Sequence, residues 1–165
     1  MARPDLKFLL AHPAHFVALG FGAGLAPFAA GTWGTLITFP FYWLLALFLP
    51  PMVIALAAIP FFLIGIPVCE ITARNMGVKD PNAICWDEIV AFLPLVALTH
   101  DSAIMMLIAF LAFRFYDVIK LFPANIIDKR MGGGIGIMLD DLFAALYAWM
   151  VVQGVYLANE RWRLF

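Results

Sequence analysis

Met52-Val53-Ile54-Ala55-Leu56-Ala57-Ala58-Ile59-Pro60-Phe61-Phe62-Leu63-Ile64-Gly65-Ile66-Pro67-Val68-Cys69 contains no charged residue. A helix that crosses a bilayer needs about 20 mostly apolar residues, so this run predicts one. The helix is expected to continue through Glu70 to Asn75 and to stop at Gly77. Pro50-Pro51 precedes it, and Thr35 to Leu49 is apolar before that. The two runs read as a hairpin turning at the prolines. The first is short, so it tilts or borrows residues 31–34.

The rest of the chain has the same character. It is 165 residues long, 65% hydrophobic and 13% charged, with a mean hydropathy of +0.97. Soluble domains are roughly 45–50% apolar and about 25% charged. The expected fold is therefore an all-α, polytopic integral membrane bundle, a single domain over residues 1–165. A third span is expected from Trp86 to Leu98, turning at Thr99-His100-Asp101-Ser102. A fourth follows from Ala103 to Lys120, then a polar, glycine-containing loop over 121–139. A fifth runs from Asp140 to Leu157, followed by a tail from Asn159. Residues 1–13 are mixed and interfacial, and 14–30 are apolar but rich in Gly and Pro. Non-helical backbone at membrane depth is tolerated only where protein or water satisfies it. The N-terminal part thus reads as a short or re-entrant helix, a glycine-rich turn, and Gly31-Thr32-Trp33-Gly34-Thr35 lining a cavity. That makes about five spanning helices plus a short N-terminal one.

Other classes are excluded quickly. The formal net charge is −1, and no basic face suggests nucleic acid. No cleavable signal peptide is expected, because His12-Pro13-Ala14-His15 interrupts the first apolar run. Cys69 and Cys85 lie near the expected cytoplasmic surface, where a disulfide is not favoured. With His12, His15 and His100 scattered, they do not form a zinc site.

Lys and Arg set the orientation. With the N-terminus inside, Arg3, Lys7, Arg74, Lys79, Lys120, Lys129 and Arg130 fall on the cytoplasmic side, and Arg161 and Arg163 outside. This is the positive-inside pattern. The same topology brings Glu70, Asp80, Asp87, Glu88, Asp117, Asp128, Asp140 and Asp141 to the cytoplasmic face. Charges at the edge of a bilayer core are costly and mark function. Asp87-Glu88 and Asp140-Asp141 are each expected to open a helix, where a carboxylate is stabilised and where phosphate also binds. Two doublets exceed what capping requires. Paired acids suit a hard cation such as Mg²⁺, which takes oxygen ligands and bridges to phosphate. Next to the second doublet, Met131-Gly132-Gly133-Gly134-Ile135-Gly136 lets backbone approach a ligand. Arg114, Asp117 and Lys120 share one side of the fourth helix, as an ion-pair ladder or as part of the site.

Several phosphatase devices are absent. Arg74 is one residue too close to Cys69 for a C-x5-R thiolate loop, no D-x-D motif occurs, and the histidines do not pair. Thr72-Ala73-Arg74 lacks the Asp-Gly and spaced Asp residues of an alcohol-phosphatidyltransferase.

The remaining motifs match a known family in order and spacing across roughly residues 18–148. They are Gly20-Phe21-Gly22 through Gly31-Thr32-Trp33-Gly34-Thr35; Cys69-Glu70 with Asp80-Pro81; Trp86-Asp87-Glu88-Ile89; Phe113-Arg114-Phe115-Tyr116-Asp117-Val118-Ile119-Lys120; and Asp128-Lys129-Arg130 with Gly132-Gly133-Gly134 and Gly136-Ile137-Met138-Leu139-Asp140-Asp141. The chain resembles bacterial phosphatidylglycerophosphatase A. It departs at Ala30 and Leu121, where the family usually has Pro, and at Ala91 and Ala145, where it has Gly.

The resemblance implies a Mg²⁺-dependent phosphatase of the inner membrane, with its site facing the cytoplasm. It would convert phosphatidylglycerophosphate to phosphatidylglycerol and inorganic phosphate. Glu70, Asp87, Glu88, Asp140 and Asp141 are the expected Mg²⁺ ligands. Asp117 is the candidate for ordering or deprotonating water, and a carboxylate nucleophile is the alternative. Lys120, Lys129, Arg130 and Arg114 would hold phosphate oxygens, with Thr32, Thr35 and Gly133 completing the substrate contacts. A small cation or proton carrier using the same acids is the rival reading from another class.

Overall fold

The computed structural model describes residues 3–79, 81–99, 102–126 and 131–162. Its described residues are helical, without strands. Two short helices, α1 (Leu6–Ala11) and α2 (Pro13–Ala18), lead into a tight 3-10 turn over Gly20–Leu25. Five longer helices follow: α3 (Ala30–Ala46), α4 (Pro51–Met76), α5 (Trp86–Ala97), α6 (Ala103–Ile119) and α7 (Gly133–Trp162).

α5 is the centre of the bundle. Nearly every residue from Trp86 to Ala97 is buried, and the helix packs against α3, α4, α6 and α7. Its Phe92 contacts Phe39, Phe110 and Phe113. Tilted and edge-to-face rings of this kind add about 0.5–1.5 kcal/mol per pair beyond burial. Around this core the outward faces are apolar: Leu56, Ile59 and Leu63 on α4 and Leu107, Leu111 and Phe115 on α6 are exposed. Water would not favour such a surface, and hydrocarbon does.

α4 and α7 are each long and apolar enough to cross a membrane, with 26 and 30 residues and 18-residue stretches of mean hydropathy 2.5 and 1.7. α3 and α6, at 17 residues each, reach the lower limit of a spanning length. α5 has 12 and is the one helix enclosed by the others.

Two expected boundaries are corrected. Gly31-Thr32-Trp33-Gly34-Thr35 is the first part of α3 rather than an irregular stretch before it, so the short first span does borrow residues 31–34. Its start at Ala30 follows Ala29 in the left-handed region, φ 50°. The second correction is larger. The loop expected over 121–139 ends at Gly133, and Asp140 and Asp141 lie inside α7, not at its start. The reason is tertiary. A Cβ on Gly134 would collide with the Ile66 carbonyl of α4, so glycine lets the two helices touch. Glu70 of α4 then accepts a hydrogen bond from the Gly134 N–H at 2.7 Å, capping α7 from a neighbouring helix. The helix also continues to Trp162, beyond the expected end at Leu157. α4 stops at Gly77, as expected, with φ 65° at that residue.

The N-terminal arm is tied to the end of α4. Asn75 Nδ2 donates to His15 Nε2 at 2.8 Å, which leaves His15 Nδ1 to donate to the Phe8 carbonyl at 2.9 Å. The His15 ring stacks on Phe8 with centroids 4.0 Å apart. Asp5 caps α1 by accepting from the Phe8 N–H at 2.8 Å. Arg3 and Pro4 are thereby held beside the bundle.

Candidate active site

Three helices each carry one part of the site. The first turn of α5 presents Asp87 and Glu88. The last turns of α6 present Arg114, Asp117 and, at its left-handed C-terminal residue, Lys120. The middle of the buried stretch of α7 presents Asp140 and Asp141. Their side chains line one pocket of about 350 Å³, closed on the other side by Ala29, Ala30 and Gly31 at the start of α3. A Cβ on Gly31 would meet the Glu88 carboxylate and displace it.

The polar contacts divide the carboxylates into two kinds. Asp140 is engaged: its Oδ2 accepts from Lys120 Nζ at 2.7 Å and its Oδ1 from the Asp141 N–H at 3.1 Å. Asp117 pairs with Arg114, whose Nη1 also stands 3.8 Å from Glu88 Oε1 and 3.5 Å from Thr35 Oγ1. Thr35 in turn donates to the Gly31 carbonyl at 2.9 Å. By contrast, Asp87 Oδ1 and Glu88 Oε2 are buried and have no hydrogen-bond partner. Buried polar atoms are normally satisfied, and an orphan asks for an ion or water.

One oxygen each from Asp87, Glu88 and Asp141 lies within 4.8 Å of the others. Three buried or half-buried carboxylates this close repel one another unless a cation sits between them. Five acids line the pocket against Arg114 and Lys120, a surplus of negative charge that would exclude a phosphate dianion by itself. The donor set is all oxygen, which suits a hard divalent cation. The residues present therefore fit a metal ion at this point.

Not every expected site residue joins the group. Glu70 is bonded to Arg74 Nε at 2.7 Å as well as to Gly134, and its place is the N-terminus of α7, some two turns from Asp141. Gly133 lies at the same end, where it lines a small cleft with Lys79 and Asp140. Thr32, in the first turn of α3, is half-buried and does not line the acid pocket, whereas Thr35 reaches it through Arg114. Lys129 and Arg130, with Asp80 and Asp128, lie outside the described residues. Gly31, expected to line a cavity, does line this pocket, whereas Asn82, Ala29 and Ala30 were not foreseen as its walls. Cys69 and Cys85 are buried and form no disulfide; Cys69 Sγ contacts Met138 Sδ at 3.9 Å, and burial pushes the Cys85 thiol up, the environment of an inert structural thiol.

The acids of α5, α6 and α7 thus line one pocket. Comparison with known proteins decides the matter, since the model of that family, phosphatidylglycerophosphatase A, matches residues 16–156. The chain belongs to this family. The phosphatidylglycerophosphatase A of Haemophilus influenzae is 40% identical over 153 residues, covering 92% of this chain and 94% of that protein. The one from Escherichia coli is 35% identical over 165 residues, covering 99% and 92%. No solved structure matches the chain. The family match takes in every acid of the pocket, and the buried acids Glu88, Asp140 and Asp141 all belong to it. Among the described residues they form one cluster, not a relay along the bundle, which does not favour the ion-carrier reading.

Proposed function

We propose that the chain is a Mg²⁺-dependent phosphatidylglycerophosphatase that releases inorganic phosphate from the lipid and leaves phosphatidylglycerol. The observation that carries this reading is the convergence of Asp87, Glu88 and Asp141 oxygens around one point, with Asp87 Oδ1 and Glu88 Oε2 unsatisfied. Family membership supports the substrate.

In this reading Asp87, Glu88 and Asp141 hold the Mg²⁺. When bound, the ion offsets phosphate charge and acidifies water. Lys120, oriented by Asp140, reaches a phosphate oxygen. Arg114 keeps Glu88 and Asp117 in place through its planar fork and adds positive charge on the same side. Asp117, which lines the pocket, orients the attacking water and takes its proton. The water oxygen bonds to phosphorus as the P–O bond to the glycerol breaks; the leaving alkoxide takes a proton from solvent water, and Asp117 returns to solvent the one it received. Ala30 and Gly31, at the start of α3, line the pocket, and a helix N-terminus there favours an anion. Glu70 serves as the cap of α7, holding the helix that carries Asp140 and Asp141; Lys129, Arg130, Gly133 and Thr32 remain candidate substrate contacts.

The domain, residues 1–165, sits in the inner membrane as a multi-pass bundle. α3, α4, α6 and α7 contact lipid, and α5 completes the five helices from within. The expected excess of Lys and Arg on the pocket side supports a pocket that faces the cytoplasm.

The test uses the purified full chain with phosphatidylglycerophosphate in mixed micelles. Phosphate release is expected with Mg²⁺, to fall to background with chelator, and to return when Mg²⁺ is restored. Release that survives chelation would overturn the metal role. No release, together with cation flux in liposomes, would favour a carrier.

A further inference from the structure

The acid pocket opens at its rim into a second groove. Ala29, Ala30, Pro81 and Asn82 line both. This second groove, about 440 Å³, runs beneath the N-terminal arm, and among the described residues Arg3 is its one charged lining side chain. Ala26 and Pro27 belong to it and also to a third, apolar groove of about 490 Å³ beside Trp33, Leu36 and Ile37. Trp33 and Leu36 are 45% and 39% exposed on the outer face of α3. The three spaces form a series: a metal-binding acid pocket, a polar groove with one cation, and an apolar trough open to the bundle surface. His15, Phe8 and Asn75 tie the arm to α4, and Arg3 at its start lines the middle space of this series.

A phospholipid whose headgroup ends in a phosphomonoester has the same sequence of chemistries. The terminal phosphate comes first, then a glycerol and a phosphodiester carrying one negative charge, then acyl chains. We propose that Arg3 binds the phosphodiester of the substrate headgroup, with Asn82 near the glycerol, while an acyl chain leaves through the trough beside Trp33. Arg3 thereby sets specificity for lipids with a second phosphate between monoester and acyl chains. The inference rests on the phosphatase reading above, but it concerns a part of the molecule that takes no part in the chemical step. A charge-assisted contact to phosphate is strong for its size. Binding made equally in ground and transition states alters KM rather than kcat.

The experiment compares wild type and Arg3→Ala, as full chains in mixed micelles, on two substrates: phosphatidylglycerophosphate, and phosphatidic acid, which has a monoester but no diester. Arg3 is exposed and outside every helix, so the variant folds. The expected result is a rise of about tenfold in KM for phosphatidylglycerophosphate, with kcat within about twofold and a KM for phosphatidic acid shifted less than twofold. A second variant, Ala26→Phe, narrows the junction between groove and trough; it is expected to raise KM for phosphatidylglycerophosphate but not for its water-soluble deacylated headgroup. Equal KM changes on both substrates, or no change with Arg3→Ala, would overturn the assignment while leaving the phosphatase reading intact. If wild type releases phosphate from neither lipid, the phosphatase reading fails first and takes this one with it.

Discussion

Asp141→Asn is expected to lower phosphate release by about a thousandfold, roughly 4 kcal/mol of transition-state stabilisation, and at the same time to raise the unfolding temperature of the metal-free protein. The two effects have one cause. Asp141 is 3% exposed and shares a small volume with Asp87 and Glu88. As a ligand its charge is needed; without an ion it repels its neighbours in a region where water cannot screen them. Replacing it with a neutral isostere of the same shape relieves about 1 kcal/mol or more of that repulsion, which corresponds to a rise of about 2–4 °C for a protein of this size. A thermal melt with and without Mg²⁺, beside a phosphate-release assay, reads both. Wild-type protein should gain stability from Mg²⁺ by mass action, and the variant should gain little. Near-normal turnover would remove Asp141 from the site. A fall in melting temperature with lost activity would assign it a purely structural role.

Arg114→Leu is expected to do the opposite to stability. The guanidinium is 18% exposed and bonds to Asp117, with Glu88 and Thr35 beside it, so it links α6 to α5 and α3. Removing one partner of a buried pair leaves uncompensated charge and costs about 3–5 kcal/mol. Activity is expected to fall about a hundredfold or more, because Glu88 and Asp117 lose the group that fixes them. Arg114→Lys restores the charge but not the planar fork, so it should recover most of the stability and only part of the activity. Melting temperature and kcat for the pair of variants check this. A stable, active Arg114→Leu protein would show that the acids do not depend on it.

Much of the bundle could be read from local pattern. The uncharged run Met52–Cys69 and the αL-prone Gly77 mark α4 without help from any other helix, and the same holds for Trp86 and Ser102 at the starts of α5 and α6. Topology alone brought Asp87, Glu88, Asp117 and Asp141 to one end. The misreadings cluster where a glycine sits against another helix. Gly132 to Gly136 reads as a loop by propensity, since glycine costs a helix about 1 kcal/mol per residue. What starts the helix here is the close approach of Gly134 to the Ile66 carbonyl and its N–H bond to the Glu70 carboxylate, both more than sixty residues earlier in the chain, after Gly133 in the left-handed region. Gly31 repeats the case with Glu88. Glu70 shows the same limit from the other side: an acid among acids in the sequence, it caps a helix in the fold. Which carboxylates were already satisfied, and which were left without partners, depended on Lys120 and Arg114 and had no local signature.

Manganese binding tests the metal centre most directly, because Mn²⁺ has a magnetic-resonance signal and the same preference for oxygen ligands. Titration of the purified wild type and of Asp87→Asn, Glu88→Gln, Asp141→Asn and Glu70→Gln separates the converging acids from the helix cap. The first three variants should each bind Mn²⁺ at least tenfold more weakly than wild type, and Glu70→Gln should stay within about threefold. Wild-type affinity in the first three, or a loss in Glu70→Gln as large as theirs, would contradict a site built on Asp87, Glu88 and Asp141.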